Sequence, residues 1–115
     1  MDDFDIAQSK IGESAQRVVD RAIEETRRAL IPLSDREGFE IELHDGTLNL
    51  LFEEPSEERF VISPNAPVRQ LWVSAMAKGY RLPWAAELGA FALNGETLSQ
   101  LLERLAREFL DQPAR

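Results

Sequence analysis

The sequence predicts an α+β protein: a two-layer α-β sandwich whose mainly antiparallel sheet of about five to six strands carries an amino-terminal and a carboxy-terminal helix on one face. Three observations lead there. Apolar residues recur at three- and four-residue spacing near both ends of the chain, whereas in the middle they alternate every second residue. The strand-like segments follow one another through turn signals with no helical crossover, which leaves antiparallel pairing as the short connection. Both helices must bury a stripe, and one face of the sheet serves both.

The first helix is read from Ile11, Ala15, Val18, Val19, Ala22, Ile23, Thr26, Ala29 and Leu30. Its start falls between Asp5 and Ser14, because Gly12 weakens the first turns, and Pro32 stops it. After the polar run Ser34 to Gly38, Phe39, Ile41 and Leu43 alternate with Glu40, Glu42 and His44. Asp45-Gly46 is a hairpin signal, and Leu48, Leu50 and Phe52 continue the alternation on the return strand. A polar turn from Glu53 to Glu58 around Pro55 leads to a strand over Phe60 to Ser63, which Pro64-Asn65-Ala66-Pro67 interrupts. A fourth strand covers Gln70 to Ser74, with two short ones around Tyr80 to Trp84 and Ala90 to Leu93. Thr97-Leu98-Ser99-Gln100 is a capping box that opens a helix with the stripe Leu98, Leu101, Leu102, Leu105, Ala106 and Phe109, and Pro113 lies beyond it. No repeat, low-complexity segment or linker interrupts residues 1 to 115, so they form a single domain, with residues 1–10 as a frayed amino terminus and 111–115 as a tail.

Composition removes several function classes. The 115 residues include no cysteine, so thiolate nucleophiles, redox pairs and thiolate metal sites are absent. One histidine leaves no His-rich zinc centre and makes a histidine general base improbable. With 21 acidic and 13 basic side chains the formal charge is -8, the wrong sign for a nucleic-acid partner. No apolar run approaches the roughly 20 residues that span a bilayer, and the opening Met1-Asp2-Asp3-Phe4-Asp5 is unlike a targeting peptide. The reading is a soluble cytoplasmic domain without a membrane or nucleic-acid partner.

Charge is unevenly divided. Residues 34–58 hold nine acids and one base, Arg36, while residues 59–84 hold four bases, Arg59, Arg69, Lys78 and Arg81, and no acid. This division reads either as an ordinary solvated surface or as a two-pole docking surface whose carboxylates also suit a hard cation. Trp72 is the second feature: with Leu71 and Val73 turned to the helices, Trp72 and Gln70 point to the open face, where a large aromatic acts as a docking anchor or is covered by a loop. His44 beside the Asp45-Gly46 turn is a surface residue, Ser9, Ser14 and Ser63 lack nucleophile machinery, and Gly79 and Gly89 fit no phosphate-cradling pattern. Glu13 with Arg17, Arg21 with Glu25 and Glu24 with Arg28 stand four apart, as surface ion pairs do.

The helix, the acidic first hairpin and the run Ser63-Pro64-Asn65-Ala66-Pro67-Val68-Arg69-Gln70-Leu71-Trp72-Val73-Ser74 resemble the frataxin family, specifically its bacterial CyaY-type members. The likeness continues through Gly79-Tyr80-Arg81-Leu82-Pro83-Trp84, Phe91, Gly95-Glu96-Thr97-Leu98 and Leu101-Leu102, and covers residues 15 to 110. The resemblance implies the same sandwich and a non-enzymatic role in iron-sulfur cluster assembly. It also implies weak binding of iron, ferrous or ferric, through surface carboxylates. The partners it implies are a cysteine desulfurase and its iron-sulfur scaffold protein, met by a monomer that supplies iron or modulates sulfur transfer. On this chain the implied metal candidates are Asp20 and Glu24 on the helix, Asp35 and Glu37 in the loop after it, and Glu40 and Glu42 on the first strand. The implied partner-binding residues are Asn65, Gln70, Trp72 and Arg81.

Where the family tends to place acid pairs late in the helix, this chain has Arg27-Arg28 and Ile31-Pro32, and the two arginines raise the local potential against a cation. The alternative of another class is a metal-independent interaction module on the same fold. A ferroxidase needs a buried carboxylate cluster, and none is legible.

Overall fold

A computed structural model of the chain describes residues 3–113, with side chains from residue 16 onward. The elements follow in the order α1 (Asp3–Glu37), β1 (Glu40–His44), β2 (Thr47–Phe52), β3 (Glu58–Asn65), a short 3-10 turn (Ala66–Val68), β4 (Gln70–Ala75), β5 (Lys78–Ala85), β6 (Ala90–Leu93), β7 (Glu96–Thr97) and α2 (Leu98–Leu110). The strands form one sheet in sequence order, every neighbouring pair antiparallel. The α-β sandwich is therefore as predicted, with seven strands in place of five to six because Glu96-Thr97 adds a two-residue strand to β6.

Alternation places Leu48, Leu50, Phe52, Phe60, Ile62, Leu71, Val73 and Leu82 on the helix-facing side, each at most 3 % exposed. The α1 stripe supplies Val19, Ile23, Leu30 and Leu33, and α2 supplies Leu98, Leu101, Leu102, Leu105, Ala106 and Phe109, all buried. Phe52 anchors the layer contact, with ring centroids 4.6 Å from Phe39, 4.8 Å from Phe60 and 5.0 Å from Phe109. Thr26, buried on α1, leaves no unpaired buried side-chain atom. Ala29, assigned to the stripe, is exposed on its flank. The side chains of Ile11, Glu13 and Ala15 lie outside the described residues.

Two helix boundaries differ from the sequence reading. The backbone is helical from Asp3, upstream of the Asp5 to Ser14 window, and Pro32 does not stop α1. Pro32 lies on the exposed side, where its missing N–H forfeits one bond, while Leu30 and Leu33 are buried on either side of it and hold the next turn. The stop is Gly38, at φ +81°, whose N–H donates to the Ser34 carbonyl at 2.8 Å. Asp35 and Glu37 are consequently in the last turn of α1 and not in a loop.

Pro64 and Asn65, read as a break, extend β3: Pro64 pairs with Leu71 of β4 beyond the last β2 rung at Leu48 and Ile62, where a missing N–H costs no bond to β2. The capping box is present, with Thr97 N–H donating to Gln100 Oε1 at 2.9 Å and Gln100 N–H to Thr97 Oγ1 at 3.4 Å.

Candidate functional site

The side of the sheet away from the helices carries Glu40, Glu42 and His44 on β1, Thr47, Asn49 and Leu51 on β2, Arg59, Val61, Ser63 and Asn65 on β3, Gln70, Trp72 and Ser74 on β4, and Gly79 and Arg81 on β5. This follows from the register and from the burial of the intervening residues. The four partner candidates come together there. Asn65 pairs with Gln70 on one rung, and Ser63, Trp72 and Arg81 share the next.

Trp72 is 40 % exposed. Its indole N–H donates to Gln70 Oε1 at 2.9 Å, and the Arg81 guanidinium carbon stands 4.8 Å from the ring centroid. The ring is thus steered from two sides while its outer face stays wet, the arrangement of an anchor that a partner can desolvate. Beside it lies an open depression of about 530 Å³ floored by Val61, Ser63, Ser74 and Gly79. A Cβ at Gly79 would meet only the Val73 carbonyl oxygen, at 4.0 Å, so the open side of β5 is flat enough for a partner to approach the backbone. Sequence reading named Gly79 and Ser74 without assigning them to this docking face. The signal was their even spacing from Arg81 and Trp72.

The metal candidates are arranged differently. Glu24 is engaged within α1: Arg27 donates from Nε at 2.9 Å and from Nη2 at 2.6 Å, and Arg28 donates from Nε at 3.1 Å. These hydrogen bonds, from Arg27 first and then Arg28, hold the carboxyl at about 2. Asp20 accepts from Gln16 at 2.9 Å. Asp35 and Glu37 are exposed at the end of α1, and Glu40 and Glu42 are exposed on β1. Among the described residues, no three carboxylate or imidazole groups stand together in a way that could hold a metal ion. On α1, Arg27 and Arg28 therefore compete with a cation for the Glu24 carboxylate, while the Asp20 carboxylate is exposed. The strand half is a row of separate, solvated carboxylates.

On the opposite side a cleft of about 440 Å³ between α1, β6 and the start of α2 contains none of these residues; Arg21, Glu25, Trp84 and Phe91 are among its walls. No helix among the described residues is long and apolar enough to cross a membrane.

Comparison with known proteins agrees with this geometry. Residues 9–112 match the family model for the frataxin-like domain. The chain is 31% identical over 91 residues to the iron-sulfur cluster assembly protein CyaY of Pseudomonas fluorescens, covering 76% of this chain and 81% of that one. It is 28% identical over 90 residues to the protein of the same name from Pseudomonas putida, covering 75% and 80% respectively. With the sandwich, the Trp72 face and a domain match over nearly its whole length, the chain belongs to the frataxin-like family, as a member of its bacterial CyaY type.

Proposed function

We propose that this protein takes part in iron-sulfur cluster assembly as a non-enzymatic, cytoplasmic monomer that docks on a cysteine desulfurase and its scaffold protein and modulates their work. Its relatives named as iron-sulfur cluster assembly proteins support the pathway. The observation that carries the docking role is Trp72, held half out of the open face by Gln70 and Arg81. Glu40 and Glu42 on β1, with Arg59 on β3 and Arg81 on β5, give that face two poles, which orient a partner as well as attract it.

Iron enters this account as cargo. Asp20, Asp35, Glu37, Glu40 and Glu42 remain available to it, bound through water-rich shells with little geometric selection, while Arg27 and Arg28 compete for Glu24. Such binding is weak, and magnesium or calcium competes with it. Cluster formation by the purified desulfurase and scaffold tests the proposal. Adding this protein changes the rate with iron held constant, and Trp72→Ala removes the change while the fold is retained. A rate that does not respond to the parent protein, or responds equally to Trp72→Ala, defeats the proposal.

A further inference from the structure

The sheet is open at both borders, and β1 is the longer of its two edge strands. β1 pairs with β2 alone, so its outer edge has no ladder partner among the described residues. The two-residue turn at Asp45-Gly46 makes His44 and Thr47 a hydrogen-bonded pair. Antiparallel alternation then directs the N–H and C=O of His44, Glu42 and Glu40 toward β2, and those of Leu43 and Ile41 outward. The Phe39 carbonyl, next in the outward series, already accepts from the Ser34 hydroxyl. The free backbone groups are therefore concentrated on residues 41 and 43.

The helix-facing side of this edge is apolar and only partly covered: Ile41 is half-buried against the core, and Leu43 stands out from it. Leu43 shares a rung with Leu48, Ile62 and Val73, which are at most 2 % exposed, yet Leu43 is 46 % exposed. Ser34 marks the α1 flank that meets β1, and Ile31, three residues before it on the same flank, is 38 % exposed. Natural edges are blunted by charge, bulges or cover, and β1 carries charge on its open face alone.

We propose that β1 accepts an added strand from a partner protein, an extended segment in which basic and apolar residues alternate. The basic side chains meet Glu40 and Glu42 on the open face, and the apolar ones cover Ile41, Leu43 and the flank at Ile31. Charge selects this occupant over a second copy, whose own β1 would set Glu40 and Glu42 against their counterparts within a stretch of nine acids and one base. The inference rests on reading the acidic edge as partner-facing, and adds that main-chain hydrogen bonds hold the partner there.

The probe is a capped eight-residue peptide alternating arginine and valine; the control carries N-methyl groups on the residues whose N–H would face β1. The parent peptide slows hydrogen exchange at the Ile41 and Leu43 amides by about tenfold or more, and the control binds about tenfold more weakly. Leu43→Lys, at an exposed position, weakens the parent peptide by about fivefold while the circular dichroism is unchanged. Equal binding of parent and control without protection overturns strand addition and leaves the acidic edge as an electrostatic dock. Failure of both to bind overturns the docking edge as well. Protection that appears without peptide as the protein is concentrated assigns the edge to a second copy and equally overturns the proposal.

Discussion

Truncating Trp72 to alanine separates a docking residue from a core residue. A fully buried tryptophan removes about 150–250 Å² from water, and Trp72 keeps 40 % of its surface exposed, so roughly 100–150 Å² is at stake. At about 25 cal/mol per Å² this gives ~2.5–4 kcal/mol, an upper figure because the unfolded chain already covers part of that surface and alanine retains the Cβ. No enclosed cavity is left, and water replaces the hydrogen bond from the indole to Gln70. The loss is therefore about 2 kcal/mol or less, against ~3–5 kcal/mol for Phe60→Ala, whose ring is 0 % exposed and packs on Phe52 and Phe109. Urea unfolding of both variants, with equal slopes, reads the difference. As a docking anchor Trp72 contributes ~2 kcal/mol or more to binding, about thirtyfold in affinity for the desulfurase–scaffold complex. A stability loss equal to that of Phe60→Ala, or an affinity unchanged within threefold, refutes the assignment.

Pro32→Ala restores an N–H to the exposed interior of α1 and raises stability by about 2 kcal/mol in chemical unfolding; a loss would mean that the proline ring itself is packed. Ala77 is exposed at φ +64° in the turn between β4 and β5, so Ala77→Gly relieves a left-handed alanine and raises the midpoint by the equivalent of about 1 kcal/mol. Glu24 titrates at about 2, below the ordinary 4.5, so its contribution is complete above the ordinary value and is lost as pH falls through about 2. Glu24→Gln flattens stability against pH in that window. The slope due to Glu96, also lowered by hydrogen bonds from Arg104, persists in both proteins.

The parts of the fold that obey a simple period were legible in the sequence. The β1–β2 hairpin follows from strict alternation around Asp45-Gly46, and α2 from its stripe and its Thr97-to-Gln100 box. The outward turn of Trp72 follows from its neighbours Leu71 and Val73. The misreadings arose where tertiary packing overrides a local rule. Pro32 reads as a stop, but the burial of Leu33 carries the helix past it to Gly38. Pro64 reads as a break, but it stands beyond the reach of β2. Met76 and Ala77 form a turn of the kind that Asp45-Gly46 and Asn94-Gly95 form, without the glycine that signals it, because both residues take positive φ. In the site, spacing placed Glu24 near Arg28. It did not show Arg27 clasping the same carboxylate, since that depends on rotamers at three- and four-residue separation.

In the proposed role, the open face and its acidic edge drive docking independently of metal. Stopped-flow association with the desulfurase, in chelator and over a series of salt concentrations, tests this most directly for the parent and for Glu40→Lys with Glu42→Lys. The parent on-rate falls steeply as the Debye length shrinks from about 30 Å at 0.01 M to about 8 Å at 0.15 M. The double variant is about tenfold slower at low salt, nearly insensitive to salt, and folded. A parent rate that ignores salt, a variant as fast as the parent, or association that appears only when iron is added would contradict the account.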